Sequence, residues 1–526
     1  MRNFQMPGRS AIFATNGLCA TSHPLASHVA LNLLQQGGNA MDAAIGAAVV
    51  LGISEPQMTG IGGDCFALFT PPGEDRIVAL NGSGRAPAGL DARDLRDSGN
   101  KVVPPGSAHA VTVPGAIDAF CRLSADWGAL DLTATLAPAI HYADAGIPVA
   151  PRTAFDWKIA EDKLLDHARD IFLMNGAAPE IGQLFRAPGQ AHVLESVARN
   201  GRAGFYEGEV ADDMVAALRA AGGTHTLDDF ASASSEYCDP VSGNYKGVDL
   251  YEHPPNGQGA TAILLNNILA HFDLPGMDPL GSQRAHIEAE ATKLAYDARN
   301  RFIADADFTH RLDHMLAPET AAALAALIDP ARAMQSPAKL SEAVHKDTIY
   351  ITVVDKDRMA VSLIYSIFHS FGSGIASPKF GVLFQNRGAG FSLEDGHPNE
   401  AKGGKRPMHT IIPGMLRKPG AYTMPFGVMG GAYQPAGHAR FATNLIDFDM
   451  DLQSAIDAPR CFADTDAMKV EECYSDTVRQ ELTDMGHKVE VPKVPLGGAQ
   501  AILIDEKSGT LIGASDPRKD GAALGY

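Results

Sequence analysis

The most informative stretch of the sequence reads Asp347-Thr348-Ile349-Tyr350-Ile351-Thr352-Val353-Val354-Asp355. Its β-branched and aromatic residues favour a strand, and the charged turn Asp355-Lys356-Asp357-Arg358 leads into a second apolar run from Met359 to Tyr365. Two such runs joined by a short polar turn predict a β-hairpin. Thr348, at the first position of the hairpin, has two interpretations. It is only a strand-forming residue or, if the chain is cut before it, a nucleophile whose free amine is the base for its own hydroxyl.

The bulk properties of the chain exclude several classes of protein. Its 526 residues, 45% apolar, allow two to four ordinary domains or one large α/β unit. A net charge of −19 argues against nucleic acid as a partner, because phosphate binding needs clustered Lys and Arg. The six cysteines are scattered without metal-ligand spacing, which is typical of thiols in a reducing compartment. No secretory signal is recognisable, and the longest apolar run, Ala43 to Ile53, is too short to cross a bilayer. We therefore expect a cytoplasmic protein without membrane segment, metal or other cofactor.

The first half of the chain predicts helices next to short strands. Residues 23–53 indicate a pair of helices, and Gly60-Ile61-Gly62-Gly63 follows them. This glycine cluster lacks the Lys-Ser/Thr of a phosphate-binding loop, so close backbone packing is favoured over nucleotide binding. Predicted strands over Cys65 to Thr70 and Ile77 to Leu80 lead to a glycine-rich segment that contains Arg85. Arg85 is either an anion contact or the partner of a surface carboxylate.

Two loops of the second half carry further candidate site residues. A predicted strand from Gly381 to Phe384 leads into Gln385-Asn386-Arg387-Gly388-Ala389-Gly390, where Arg387 is the only charged residue. Arg387 either meets an anion or braces the loop by donating to backbone carbonyls. Gly430-Gly431 lies between a predicted strand and a helix-like segment, where backbone N–H groups can stabilise an oxyanion, although a tight turn alone also explains two glycines. The alternation of helices and strands predicts a layered α/β sandwich.

A series of short glycine-rich and charged motifs is spread over nearly the whole chain. They are Gly37-Gly38-Asn39-Ala40-Met41-Asp42-Ala43-Ala44, Gly60-Ile61-Gly62-Gly63, Val113-Pro114-Gly115, Gly404-Lys405-Arg406-Pro407, Gly430-Gly431, Asp457-Ala458-Pro459-Arg460 and Gly513-Ala514-Ser515-Asp516-Pro517-Arg518. In this order they resemble the γ-glutamyltransferases, which are N-terminal-nucleophile hydrolases. The resemblance implies a four-layer αββα sandwich formed jointly by both halves of a self-cleaved proenzyme. It also implies a large subunit, 1–347, and a small subunit, 348–526, that together make one structural unit.

The resemblance further implies a self-processing amidohydrolase with a threonine nucleophile. Cleavage between Asp347 and Thr348 would expose Thr348, which attacks an amide carbonyl of a small-molecule substrate to give an acyl-enzyme. The oxyanion hole falls on Gly430 and Gly431, and a hydroxyl that bonds the nucleophile's amine falls on Ser366. No cofactor is implied, and a homodimer of the cleaved pairs is one assembly left open.

The substrate pocket departs from the family pattern. The family arginine that grips the glutamyl carboxylate falls on Ser83, two residues before Arg85, and the aspartate that holds the ammonium falls on Gly390. A glutamine falls on Arg387, an asparagine on Phe368, and the paired serines on His409 and Thr410. Without the aspartate a substrate ammonium would be buried unpaired, which is costly. We therefore predict a pocket for an acyl group that bears a carboxylate but no ammonium, lined by Arg387, Arg85, His409, Thr410, Phe368 and Asn386.

The specific prediction is hydrolysis of oxamate to oxalate and ammonia. A bidentate contact from an arginine would fix the scissile carbonyl of such a substrate relative to Thr348. Oxamate amidohydrolase and the cephalosporin acylases are among the divergent family members. The alternatives are a γ-glutamyltransferase or glutathione hydrolase with a rearranged pocket, a dicarboxylic-acyl (cephalosporin-type) acylase, and an uncleaved homologue that only binds. The last should lack Thr348 or Gly430-Gly431, and both are present.

Overall fold

The computed structural model describes residue 5 and residues 8–334, 348–464 and 467–526. Within these ranges the chain forms two seven-stranded antiparallel sheets that pack face to face. Helices cover the outer side of each sheet. This arrangement confirms the predicted four-layer αββα sandwich. Among the described helices, none is long and apolar enough to span a bilayer.

Both sheets take strands from before and after residues 335–347. The first sheet has the order β1 (Ile12–Ala14), β18 (Leu511–Ser515), β17 (Gly498–Asp505), β13 (Tyr422–Met429), β12 (Gly414–Lys418), β9 (Val248–Glu252) and β8 (Val241–Tyr245). The second has the order β19 (Ala522–Gly525), β2 (Leu18–Thr21), β10 (Ile349–Val354), β11 (Ala360–Ser366), β3 (Asp64–Thr70), β4 (Val78–Gly82) and β7 (Glu236–Cys238). Smaller sheets join β14 (Cys461–Asp464), β15 (Ala467–Val470) and β16 (Val489–Glu490), and β5 (Ile147–Pro148) with β6 (Leu184–Phe185).

The helices form the two outer layers and the connections between them. They are α1 (Pro24–Gln35), α2 (Ala40–Ser54), α3 (Ala92–Asp97), α4 (Ala116–Trp127), α5 (Leu132–Ala145), α6 (Pro151–Ala160), α7 (Asp166–Phe172), α8 (Pro188–Asn200), α9 (Ala203–Tyr206), α10 (Gly208–Ala220), α11 (Leu227–Ala231), α12 (Gly259–Leu269), α13 (Ser282–Phe302), α14 (Leu312–Leu316), α15 (Pro318–Ala325), α16 (Gln434–Ile446), α17 (Leu452–Asp457) and α18 (Asp476–Asp484). Helices α1, α2 and α4 pack on the second sheet, and α12, α16 and α17 pack on the first. The predicted helix pair over residues 23–53 is thus observed as α1 and α2.

The hairpin of β10 and β11 lies at the centre of the second sheet. Strand β10 pairs with β2 on one side and with β11 on the other. All of its residues are buried. Because side chains alternate between the two faces of a strand, both faces of β10 are covered. Ile349, Ile351 and Val353 face the helices, whereas Tyr350 and Val354 face the first sheet. By this alternation the side chain of Thr348 points into the space between the two sheets.

One predicted strand of the second half is wrong. Residues 381–384 form only an isolated bridge, from Leu383 to Ala376, instead of a strand. Gly381 has a φ of 68°, which interrupts an extended run before it can pair further. The segment folds back on residues 373–377, with the N–H of Phe384 donating to the carbonyl of Ile375 at 3.0 Å. It leads directly into the loop that carries Arg387.

Candidate active site

Thr348 and Ser366 meet at the ends of the two hairpin strands. The register of β10 and β11 pairs Ile349 with Tyr365, so Thr348 and Ser366 follow as neighbours at the strand ends. Both side chains are buried, and Thr348 Oγ1 lies 3.2 Å from Ser366 Oγ. Ser366 Oγ accepts the N–H of Phe368 at 2.9 Å and Arg387 Nη2 at 3.3 Å. The two hydroxyls are thus within hydrogen-bond distance, and either of them can donate to the other.

Arg387 is a fully buried guanidinium beside this pair. It opens a 3₁₀ turn, Arg387–Gly390, and its Nη1 donates to Thr410 Oγ1 at 2.9 Å. The guanidinium lies 4.0 Å from the ring centroid of Phe368, a residue that adopts the unusual positive φ of 79°. Burial lowers the pKa of Arg387 to about 9, with the charge of Asp64 acting in the opposite direction, so it is cationic at neutral pH.

The partners of Arg387 are hydroxyls and a ring rather than a carboxylate. Its Nε has no hydrogen-bond partner in the part of the chain that the structure describes. A buried charge that no carboxylate contacts is costly, and a bound anion would lower that cost. Because a guanidinium fits a carboxylate bidentately, this geometry is suited to a substrate carboxylate next to Thr348.

His409 and Asp64 form a second buried pair. His409 Nε2 donates to Asp64 Oδ2 at 3.0 Å, and His409 Nδ1 accepts the N–H of Ile411 at 3.3 Å. Burial, followed by the charge of Arg387, lowers the pKa of His409 to about 3. The imidazole is therefore neutral at neutral pH with both nitrogens engaged. It supports Asp64 rather than adding positive charge to the pocket.

Asp64 accepts several hydrogen bonds in the site, a role that was not predicted from the sequence. It opens β3, where it pairs with Ser366, and its Oδ1 accepts the N–H of Gly84 at 2.9 Å and that of Gly115 at 3.2 Å. Gln385 Nε2 also donates to Oδ1, at 2.8 Å. Its only sequence signal is an acidic residue that begins a buried strand directly after a glycine cluster.

Asn386 and Arg85, two other predicted pocket residues, have structural partners. Asn386 Oδ1 accepts the N–H of His369 at 3.1 Å, and its Nδ2 donates to the carbonyl of Pro105 at 3.0 Å. Arg85 forms ion pairs with Asp305 at 3.4 Å and with Glu236 at 3.7 Å, and its side chain is 44% exposed. The structure thus groups Phe368 and Thr410 with Arg387 and Thr348, whereas Arg85 belongs to a cluster of ion pairs.

The double glycine forms a turn between β13 and α16. Gly430 and Gly431 have φ values of 123° and 56°, which L residues with a side chain rarely adopt. The carbonyl of Gly431 accepts Gln258 Nε2 at 3.0 Å, and the same Nε2 donates to the carbonyl of Thr410 at 2.7 Å. Hydrogen bonds therefore connect the turn through Gln258 and Thr410 to Arg387. The N-terminus of α16 adds positive potential next to the turn.

The cleavage site and one possible metal-binding group complete the candidate residues. Asp347 lies outside the described residues. His286, Glu290 and His487 are the one group of three or more metal-binding side chains that converge within the described ranges. His286 Nδ1 is 2.7 Å from His487 Nε2, and Glu290 accepts Lys293 Nζ at 2.7 Å. These atoms thus already have partners.

The sequence and the structure are similar to those of known proteins. The model of the family described as gamma-glutamyltranspeptidase matches residues 26–526. The chain is 35% identical over 531 residues to the glutathione hydrolase-like YwrD proenzyme of Bacillus subtilis, covering 98% of this chain and 99% of that protein. It is 34% identical over 538 residues to the oxamate amidohydrolase proenzyme of Klebsiella pneumoniae, covering 98% and 100%. The crystal structure of a cephalosporin acylase from Bacillus halodurans superposes with a TM-score of 0.91 at 37% identity, covering 100% of this chain and 99% of that one.

Proposed function

Because the chain belongs to the γ-glutamyltranspeptidase family and is a self-processing N-terminal-nucleophile amidohydrolase, we propose that it hydrolyses small amides whose acyl group bears a carboxylate and no ammonium. The specific substrate that we propose is oxamate, which gives oxalate and ammonia. The observation that carries this proposal is the buried guanidinium of Arg387, whose described partners are hydroxyls and a ring, directly beside Thr348. Membership of this enzyme family removes the alternative of a protein that only binds.

The proposed reaction begins with cleavage between Asp347 and Thr348, which gives chains 1–347 and 348–526. The freed amine of Thr348 takes the proton of its own hydroxyl while Oγ1 attacks the amide carbonyl. The N–H groups of Gly430 and Gly431 stabilise the oxyanion, and the leaving ammonia takes up the proton. Water then hydrolyses the ester on Thr348 by the same route. Ser366, at 3.2 Å, positions Thr348 Oγ1.

The distances in the site favour a short acyl group. Two consecutive contacts, of 3.3 and 3.2 Å, connect Arg387 Nη2 through Ser366 Oγ to Thr348 Oγ1. In oxamate the carboxylate is bonded directly to the scissile carbonyl carbon, so one molecule can meet both ends of this span. A substrate with several methylene groups between the two would have to bend to do so.

A dicarboxylic-acyl acylase is the second candidate function. The similarity to a structure described as a cephalosporin acylase favours it, and Arg387 would serve the distal carboxylate. Faster turnover of succinamate and glutaramate than of oxamate would support this candidate. A γ-glutamyl hydrolase, in line with the glutathione hydrolase-like relative, would instead hydrolyse γ-glutamyl-p-nitroanilide at a rate comparable to that of oxamate.

The test of the proposed function compares the self-cleavage and the activity of two variants, each with one threonine near or in β10 replaced by valine. Thr348→Val is expected to leave one uncut band and no release of ammonia from oxamate, because it removes the nucleophile of both reactions. Thr352→Val is the matched control, since Thr352 is equally buried in β10 and its hydroxyl, which donates to the carbonyl of Pro425 at 3.5 Å, takes no part in the proposed reaction. It should be cut and remain active within about threefold. Intact mass and ammonia release are the measurements, and an active or cut Thr348→Val protein would refute the proposal.

We also propose that the cleaved pair resides in the cytoplasm and forms a homodimer. The described cysteines are all unpaired thiols, which fits a reducing compartment. Light scattering should then give twice the 55.5 kDa of one chain.

A further inference from the structure

Three buried side chains outside the reacting set converge on the glycine turn. Gln258, at the N-terminal end of α12, donates from Nε2 to the carbonyls of Gly431 and Thr410. Tyr296, on α13, donates its hydroxyl to the carbonyl of Ala432, the next residue of the turn. Consecutive carbonyls of one turn are therefore held by side chains from two helices.

Arg299 fixes the orientation of the Gln258 amide. Arg299 Nη1 donates to Gln258 Oε1 at 2.8 Å, so the amide nitrogen must face the two carbonyls. Arg299 is itself held, since its guanidinium lies 4.3 Å from the ring centroid of Tyr296 and its Nε donates to Asn300 Oδ1 at 3.0 Å. Gln258 and Arg299 are 0% and 5% exposed, so water does not compete for these contacts.

A glycine turn needs such support if its N–H groups are to be preorganised. Gly430 and Gly431 have no side chains to restrict their backbone, and peptide groups between glycines rotate at little steric cost. Stabilisation of an oxyanion depends on donors that already point to the place where charge develops. The carbonyl of Gly431 belongs to the peptide group directly after the Gly430–Gly431 peptide, so the hydrogen bond from Gln258 fixes ψ of Gly431 and thereby limits the rotation of the neighbouring peptide group that carries the Gly431 N–H.

We propose that Gln258, together with Arg299 and Tyr296, is a positioning unit that holds the Gly430–Ala432 turn and Thr410 at a fixed separation. This inference rests on the proposed role of the glycine turn in oxyanion stabilisation. Thr410 Oγ1 accepts Arg387 Nη1 at 2.9 Å, so one amide group connects the oxyanion end of the site with the carboxylate end. Gln258 does not touch the reacting atoms in this arrangement. It acts through the two backbone carbonyls.

The test uses two substitutions of Gln258 that keep its size. Gln258→Met removes both N–H donors, and Gln258→Glu also removes them while keeping an acceptor for Arg299. Both are expected to lower kcat at least about tenfold, because the turn is no longer preorganised, and to change KM less than about threefold. Gln453→Met is the matched control, since Gln453 is 3% exposed and its Nε2 also donates to a backbone carbonyl, that of Ser515, at 2.9 Å. Its kcat should stay within about twofold of the wild type.

Hydrogen exchange of the processed protein gives a second measurement that needs no substrate. Peptides covering residues 427–434 and 408–412 should exchange at least about tenfold faster in Gln258→Met than in the wild type or in Gln453→Met. Equal exchange in all three proteins would overturn the proposal, as would equal losses of kcat in Gln258→Met and Gln453→Met. A wild-type protein that does not hydrolyse oxamate would refute the proposed substrate but not the positioning unit, which the exchange rates and turnover of any other amide still test.

Discussion

At the scale of single residues, the proposed substrate depends most on Arg387. It is buried next to Thr348, and its contacts with Ser366, Thr410 and Phe368 do not neutralise its charge. A buried charge whose contacts are all neutral costs stability, so replacing it by an apolar side chain of similar volume is expected to be neutral or stabilising. Active sites often retain such unfavourable groups because function requires them. We therefore interpret Arg387 as a residue kept for binding at a cost in stability.

The stability of Arg387→Met tests this interpretation. The variant is expected to unfold at the same temperature as the wild type or a higher one, because the described hydrogen-bond partners of Arg387 are neutral hydroxyls and Asp64 keeps its own hydrogen bonds. Arg284→Met is the matched control, because Arg284 is equally buried but pairs with Glu288 at 2.8 Å. Arg284→Met loses the buried hydrogen bonds to Glu288, Thr443 and Asn444 and leaves Glu288 with Arg440, so this control should melt clearly lower. Thermal unfolding followed by circular dichroism measures both. An Arg387→Met protein that melts as low as the control would show that Arg387 is a structural brace.

At the scale of elements, the hairpin of β10 and β11 is inserted between two strands of the other half of the chain. β10 pairs with β2, and β11 pairs with β3, both from residues before 335. In the first sheet β12 likewise pairs with β9. We therefore expect the two chains of the processed protein to elute together in size-exclusion chromatography and to melt in one transition. They should separate only in denaturant. Separation in plain buffer would contradict the proposal that the two chains form one structural unit.

The same elements show what the sequence could predict. The hairpin from Thr348 and the helix pair over 23–53 depend on local patterns of apolar residues, turns and caps, and both are observed. The strand expected at 381–384 fails because the φ of 68° at Gly381 overrides the apolar run. The roles of Asp64 and Gln258 could not be predicted, since the partners that define them include residues more than a hundred positions away, His409 for Asp64 and Gly431 for Gln258.

At the scale of the whole molecule, the site lies between the two sheets, and both sheets contribute residues to it. Thr348 and Ser366 end strands of the second sheet, while the glycine turn follows a strand of the first. Gln258 and Arg387 connect these parts by hydrogen bonds, so the packing of the sandwich sets the distance from carboxylate anchor to oxyanion turn. Sequence motifs indicated the reaction, but only this packing places the guanidinium beside the nucleophile.

Recognition of a substrate carboxylate by Arg387 beside Thr348 is tested most directly by kcat/KM for oxamate and for its neutral analogue oxamide. The wild-type protein is expected to prefer oxamate by about 10²-fold or more, because a neutral substrate leaves the buried guanidinium without a partner, and losing one partner of a buried charge pair costs about 2–5 kcal/mol. Arg387→Met should reduce the preference to below about tenfold by losing activity on oxamate alone. A wild-type protein that hydrolyses both amides equally, or an Arg387→Met protein that retains the full preference, would contradict the account.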